Sequence, residues 1–175
     1  MKILINAGHG GSDCGAVGKN GLKEAQVNLN VALLIQRYLK NRGIESVVFQ
    51  QTKSLNEVID LERKDNFDFG VSIHCNASTD KTANGVETLY YPTSKKGKVL
   101  ADCIQKKLVE KTGLRDRGLK ARSDLGFLRR TKSVCALVEC AFISNPREEE
   151  MLKNNYSIFA QGVALGIVNY INERL

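Results

Sequence analysis

The chain alternates short apolar runs with longer amphipathic stretches, and three of the runs end beside a residue that can do chemistry. Ile3-Leu4-Ile5 leads into Asn6-Ala7-Gly8-His9-Gly10-Gly11-Ser12-Asp13, Val71-Ser72-Ile73 into His74-Cys75-Asn76, and Ala136-Leu137-Val138 into Glu139. Short apolar runs bounded by turn residues read as strands, and strands separated by helices imply a parallel or mixed sheet covered on both faces. In open sheets of that kind, ligands bind at the carboxyl ends of the strands. His9, His74 and Glu139 therefore converge on one crevice.

The element pattern predicts strands over residues 2–7, 46–51, 70–75, 85–91, 126–129 and 136–141. It predicts helices over 24–41, from Ser54 onward, over 98–111, from Asn145-Pro146 onward, and over 157–172. Val27, Val31, Leu34, Ile35 and Tyr38 form one stripe of the first helix, and Gly43 stops it. Ser54 and Glu57 have the spacing of a capping box. Asn145 followed by Pro146 is a helix start, and Glu148 to Glu150 suit its dipole. The expected architecture is a single α/β domain spanning 1–175, with a mixed, mostly parallel twisted sheet of about six strands.

The chain has two histidines, and both sit at strand ends among small residues that let a ligand approach the backbone. Glu24 opens the helix after a glycine-rich loop (Gly15, Gly18, Gly21), which returns it to the rim where His9 lies. Two imidazoles and one carboxylate, with a further position left to water, are the ligand set of a catalytic zinc site. The five cysteines form no C-x-x-C pair, so neither a disulfide framework nor a cysteine-rich structural site is expected. Neighbours on a strand face opposite ways, so Cys75 and Cys140 turn away from a site that contains His74 and Glu139. All five cysteines read as small buried hydrophobes.

With 175 residues, 42% hydrophobic and 26% charged, the composition is that of one globular domain. No run approaches the ~20 apolar residues of a membrane span, and a strand begins directly after Met1, which leaves no room for a signal peptide. The net charge of +7 fits a solvated basic face or attraction to an anionic cell-wall polymer. The basic clusters lack the interleaved aromatics of a single-strand nucleic-acid platform.

Six stretches together resemble the zinc-dependent N-acetylmuramoyl-L-alanine amidases often called amidase-3, which cut peptidoglycan. They are Gly8-His9-Gly10-Gly11-Ser12-Asp13-Cys14-Gly15-Ala16, Gly21-Leu22-Lys23-Glu24, Ser72-Ile73-His74-Cys75-Asn76-Ala77, Gly85-Val86-Glu87-Thr88, Asp116-Arg117-Gly118-Leu119-Lys120, and Leu137-Val138-Glu139 with Phe142-Ile143-Ser144-Asn145. They follow the family's order along almost the whole chain. Cys14, Val134 and Ala141 depart from the family's usual proline, proline and glycine.

The resemblance implies one Zn²⁺ held by His9, Glu24 and His74, with Glu139 as the catalytic carboxylate. It implies hydrolysis of the amide between N-acetylmuramic acid and L-alanine, with Glu139 taking a proton from water and passing it to the departing amine. Asn76 and Arg129 are candidates for substrate contact. Asp13 is a candidate to orient a ligand histidine, and Glu87 and Arg63 are expected to serve the fold. Other readings are a zinc peptidase or deacylase of different specificity, or a wall-binding homologue without catalysis. The expected partner is peptidoglycan, with no nucleic acid, no membrane insertion and a monomeric state. Action on the extracellular wall without an export signal suits a phage endolysin, an autolysin released on lysis, or a trimmed secreted domain with its wall-binding domain outside this chain.

Overall fold

A computed structural model describes residues 1–52 and 54–173. The strands are β1 (Lys2–Ala7), β2 (Glu45–Gln50), β3 (Phe69–Asn76), β4 (Val86–Tyr90), β5 (Asp116–Ala121) and β6 (Val134–Phe142). The helices are α1 (Glu24–Lys40), α2 (Leu55–Lys64), α3 (Lys95–Thr112), α4 (Gly126–Arg130), α5 (Pro146–Asn154) and α6 (Tyr156–Asn172). One sheet runs β2-β1-β3-β6-β4-β5. Its pairings are parallel except between β6 and β4, which run antiparallel.

Strand alternation sorts the side chains into two cores. Ile3, Ile5, Val71, Ile73, Ala136 and Val138 lie under α1, α3 and α6 in the main core. On the other face, Leu4, Leu89, Cys135 and Leu137 meet Val58 of α2 and Phe127 and Leu128 of α4. That second layer is short and leaves the upper part of its face uncovered. Residues paired across strands share a face, so register describes it rung by rung. Leu4, Gly70 and Cys135 form the lowest rung; Asn6, Ser72, Leu137 and Leu89 the next; His74, Glu139 and Glu87 the top. The face is apolar where helices cover it and ionisable where they stop.

Three expectations need correction. Residues 126–129 belong to the short helix α4, which lays the adjacent Phe127 and Leu128 against the second face of the sheet. The sixth strand is β5 instead, an edge strand of mostly polar, half-buried residues that carries no apolar signal. The capping box does not form: Ser54 is the N-cap, but its side chain makes no cap bond, and Glu57 accepts from Thr52 N at 3.1 Å. Helix α3 begins at Lys95, capped by Ser94 Oγ, which accepts from Gly97 N at 3.0 Å. Its opening lysines oppose the dipole, so the sequence pattern becomes readable only later.

Buried glutamates fasten the loops around the sheet. Glu148 accepts from Gly85 N and Phe142 N, both at 2.7 Å, joining the start of β4 to the end of β6. Glu149 accepts from Asn20 N at 2.8 Å, and Glu62 from Ser133 N at 2.8 Å. Glu148 and Glu149 thus do more than complement a helix dipole. Arg63 serves the fold as expected, donating to Arg130 O at 3.3 Å and tying α2 to α4.

Helices α3 and α6 approach closely because α6 presents glycines. A Cβ on Gly166 would lie 2.4 Å from Ile104 Cα, and one on Gly162 2.9 Å from Leu108 Cα. Those neighbours are backbone, so a helix must move to accept it. Gly166→Ala should destabilise the fold by about 1–3 kcal/mol, read as a fall of several degrees in the thermal midpoint. An unchanged midpoint would contradict the close packing.

Candidate metal centre

Past β1 the backbone continues pairing through Gly8 N, which donates to Ile73 O at 3.0 Å. It then turns sharply. His9 has φ of +61°, a left-handed conformation that is uncommon outside glycine, and Gly10 and Gly11 follow with positive φ. The turn swings the His9 ring edge-on to His74, with centroids 5.1 Å apart. Glycine at position 8 is what lets the His74 ring sit there, since a Cβ would lie 2.2 Å from His74 Cε1.

Glu24, only 4% exposed, points its carboxylate between the rings. Its Oε1 lies 3.4 Å from His9 Nε2 and 3.1 Å from His74 Nδ1. The same oxygen accepts from Cys75 N at 3.0 Å and Asn28 Nδ2 at 3.3 Å, while Oε2 accepts from Ala16 N at 2.9 Å. Burial pushes the Glu24 carboxyl up. The hydrogen bond and charge of His74 and the N–H groups of Ala16 and Cys75 outweigh it, so the net shift is downward. Asn28, one helical turn after Glu24, also donates to Gly8 O at 2.9 Å and locks the turn to α1.

The ligand atoms of His9, Glu24 and His74 all lie within 4.8 Å of one another. This donor set fits one zinc ion: two nitrogens and a carboxylate oxygen, an incomplete shell open to solvent. The far side of His9 fits as well. His9 Nδ1 lies 2.8 Å from Asp13 Oδ2, the arrangement by which ligand histidines are usually oriented. Asp13 also accepts from Gly15 N at 3.0 Å, and its carboxyl is held below the ordinary range chiefly by the His9 bond.

Glu139 is the direct cross-strand partner of both His74 and Glu87. Its Oε2 is closed off from solvent and has no hydrogen-bond partner among the described residues. Burial, then the charges of Glu24 and Glu87, raise its carboxyl well above the ordinary range, and Arg122 opposes them. Glu87 itself is engaged by Arg117 Nε at 2.8 Å and Asn76 Nδ2 at 2.9 Å, and the Arg117 guanidinium lies 4.8 Å from the Phe142 ring centroid. A register shift between His74 and Asn76 follows at once and separates the top rung from the loop beyond.

The remaining sequence candidates fare unequally. Asn76 borders the site, but its oxygen accepts from Ala77 N at 2.9 Å and its amide donates to Glu87. Arg129 is exposed on α4 and its side chain makes no hydrogen bond or ion pair among the described residues. Cys75 and Cys140 are buried in the main core, with thiols pushed up mainly by burial, as their strand parity requires. Cys14 departs from the expectation for the cysteines, being only half-buried. Sequence reasoning missed Asn28, although its spacing of four from Glu24 puts both on one helix face. It also missed Arg122, whose charge reaches Glu139 from a loop with no sequence signature. An apolar pocket of about 160 Å³ opens beside His74, walled by Leu55, Leu125 and Phe127.

The N-acetylmuramoyl-L-alanine amidase family matches residues 3–169 of the chain. The chain belongs to that family. It is 36% identical over 177 residues to N-acetylmuramoyl-L-alanine amidase LytC of Bacillus subtilis (strain 168), covering 96% of this chain and 35% of that protein. It is 36% identical over 183 residues to the endolysin of Bacillus phage SPP1, covering 97% of this chain and 66% of that protein. It therefore spans less than two thirds of the length of either relative. The amidase structure from Clostridium difficile 630 superposes with a TM-score of 0.92 at 31% identity, covering 99% of this chain and 98% of that one.

Removing the orienting groups should weaken metal binding without unfolding the domain. Asp13→Ala should lower zinc affinity about 10–100-fold. Gly8→Ala, by displacing the His74 ring, should abolish stoichiometric zinc in the purified protein. Elemental analysis and zinc titration read both, and wild-type zinc content in Gly8→Ala would refute the placement of His74.

Proposed function

We propose that the chain is a catalytic domain that hydrolyses the amide between the lactyl carbonyl of N-acetylmuramic acid and L-alanine, acting on extracellular peptidoglycan. The observation that carries this reading is the partnerless buried oxygen of Glu139, set on the same rung as His74 at the edge of a two-histidine, one-carboxylate cluster. Family membership supplies the particular bond. The relatives' names, an amidase and an endolysin, support the wall as the place of action.

His9, Glu24 and His74 would hold one zinc ion, which when bound supplies Lewis acidity to polarise the scissile carbonyl and acidify water to a pKa of about 7. The chain's residues do the rest. Asp13 holds the His9 ring with Nε2 facing Glu24. Below the rung of Glu139, the second-face helices cover a floor of Leu137, Leu89 and the hydrogen-bonded pair Asn6 and Ser72. The Glu139 carboxylate would accept a proton from water and return it to the amine nitrogen as the C–N bond breaks. Amide nitrogen leaves poorly unless protonated, so both transfers count. Arg117 and Asn76 fix the neighbouring Glu87 carboxylate by one hydrogen bond to each of its oxygens. Asn76 and Arg129 remain the candidates for substrate contact.

Digestion of purified walls tests the bond assignment. New L-alanine amino termini without new reducing sugar ends, lost with chelator and recovered with zinc, are expected. Reducing ends would place the cut in the glycan instead. Glu139→Gln should keep its zinc and lose about 10²–10⁴-fold in turnover. A variant that kept most of its activity would remove Glu139 from the proton path.

A further inference from the structure

The chain's positive charge is densest in two stretches, residues 95–111 and 115–132. Residues 115–132 hold seven basic residues against two acidic ones, a local excess of five within a total of +7. That stretch comprises β5, which is the edge of the sheet, the following loop, and α4, which covers the second face below Glu139. The stretch thus runs from the edge of the sheet on to the second face.

Part of that charge is used internally. Arg117 is bound to Glu87, and Arg122 makes two bonds to Asp124, at 2.8 and 2.6 Å. The acids are spent as well, since Asp116 accepts from Gln105 Nε2 at 2.6 Å and Gly118 N at 2.8 Å. Arg115, Lys120, Arg129 and Lys132 are left with no ion pair among the described residues. On α3, Lys106 is paired with Asp102 and Lys107 with Glu110, while Lys95, Lys96 and Lys98 at its start are, like these four, without an ion pair among the described residues. Unpaired like charges along one edge repel one another and gain by meeting a polyanion.

The geometry points to the β5–α4 border as a docking surface for a phosphodiester-linked polyol polymer of the cell wall, a contact separate from the hydrolytic site that holds the domain on its substrate's surroundings. This rests on the proposed action on cell walls. The sole aromatic of the stretch, Phe127, is buried at 3% exposure, so the border offers charge and no stacking platform. A polymer with charges but no bases matches that, and a nucleic acid would lack the stacking contacts that strengthen single-strand binding. The six residues of β5 extend for about 20 Å, long enough to follow several repeats.

The test compares the wild-type chain with a triple variant, Arg115→Glu, Lys120→Glu and Lys132→Glu, none of them in the hydrolytic site. A matching Gln triple serves if charge reversal unfolds the domain, and Lys40→Glu with Arg42→Glu, at the end of α1, is the control. Binding is measured by co-sedimentation with intact walls, with walls stripped of phosphate polymer, and with poly(glycerol phosphate) across a salt series. Hydrolysis of a soluble muramyl peptide is measured in parallel. The triple variant should bind intact walls at least tenfold more weakly, with a salt slope reduced by about two to three. Stripped walls should bind wild type and variant alike, and soluble turnover and the control should be unchanged. Equal binding of wild type and variant to intact walls would overturn the proposal, as would tighter binding of DNA than of poly(glycerol phosphate). Charge-dependent wall binding without soluble hydrolysis would instead overturn the proposed function and leave the docking surface standing.

Discussion

The buried carboxylate of Glu24 is the interaction on which the site depends. An isolated charge in that position would cost several kcal/mol, and the chain offsets this by gathering donors from three directions. Ala16 N comes from the glycine-rich loop, Asn28 from α1 and Cys75 N from β3. The two imidazoles complete the shell. Fixing one side chain therefore fixes the loop after β1, the first turn of α1 and the end of β3 relative to one another. A divalent ion at the same point would replace a fragile balance of shared protons with a fixed charge, so metal binding and local order are linked.

The sheet then determines what faces that charge. Parallel register across β1, β3 and β6 stacks apolar, polar and ionisable rungs in sequence up one face, and the antiparallel β4 adds Glu87 to the last of them. Helices α2 and α4 are too short to cover that rung. The result is a covered floor that ends at the row of His74, Glu139 and Glu87. Glu139 gains a high proton affinity from burial and from its acidic neighbours, and positive charge at the triad would draw it back toward the ionised form.

Much of this was legible in the sequence because the central strands are buried on both sides. Ile3-Leu4-Ile5 and Val71-Ser72-Ile73 announce themselves as strands, and with only two histidines in the chain their placement at strand ends was informative. The Asn145-Pro146 start was equally clear, and Asn145 does cap α5 by accepting from Arg147 N and Glu148 N. The edge was not legible. Strand β5 packs on one neighbour and keeps polar residues, so it lacks the pattern that burial writes into a sequence. Helix α4 is a five-residue turn whose two apolar residues mimic a strand end. The roles of Glu148 and Glu149 were hidden for a different reason: a helix-start glutamate looks the same whether it meets water or two distant backbone N–H groups.

The most direct test of the account is anomalous diffraction from zinc-loaded crystals. The account predicts one zinc ion per chain, bound by His9, Glu24 and His74 at about 2.0–2.2 Å, with Glu139 close by but not coordinating. Two ions, an ion ligated by Glu139 or Cys14, or an ion elsewhere with Glu24 still bonded to both histidines would contradict it.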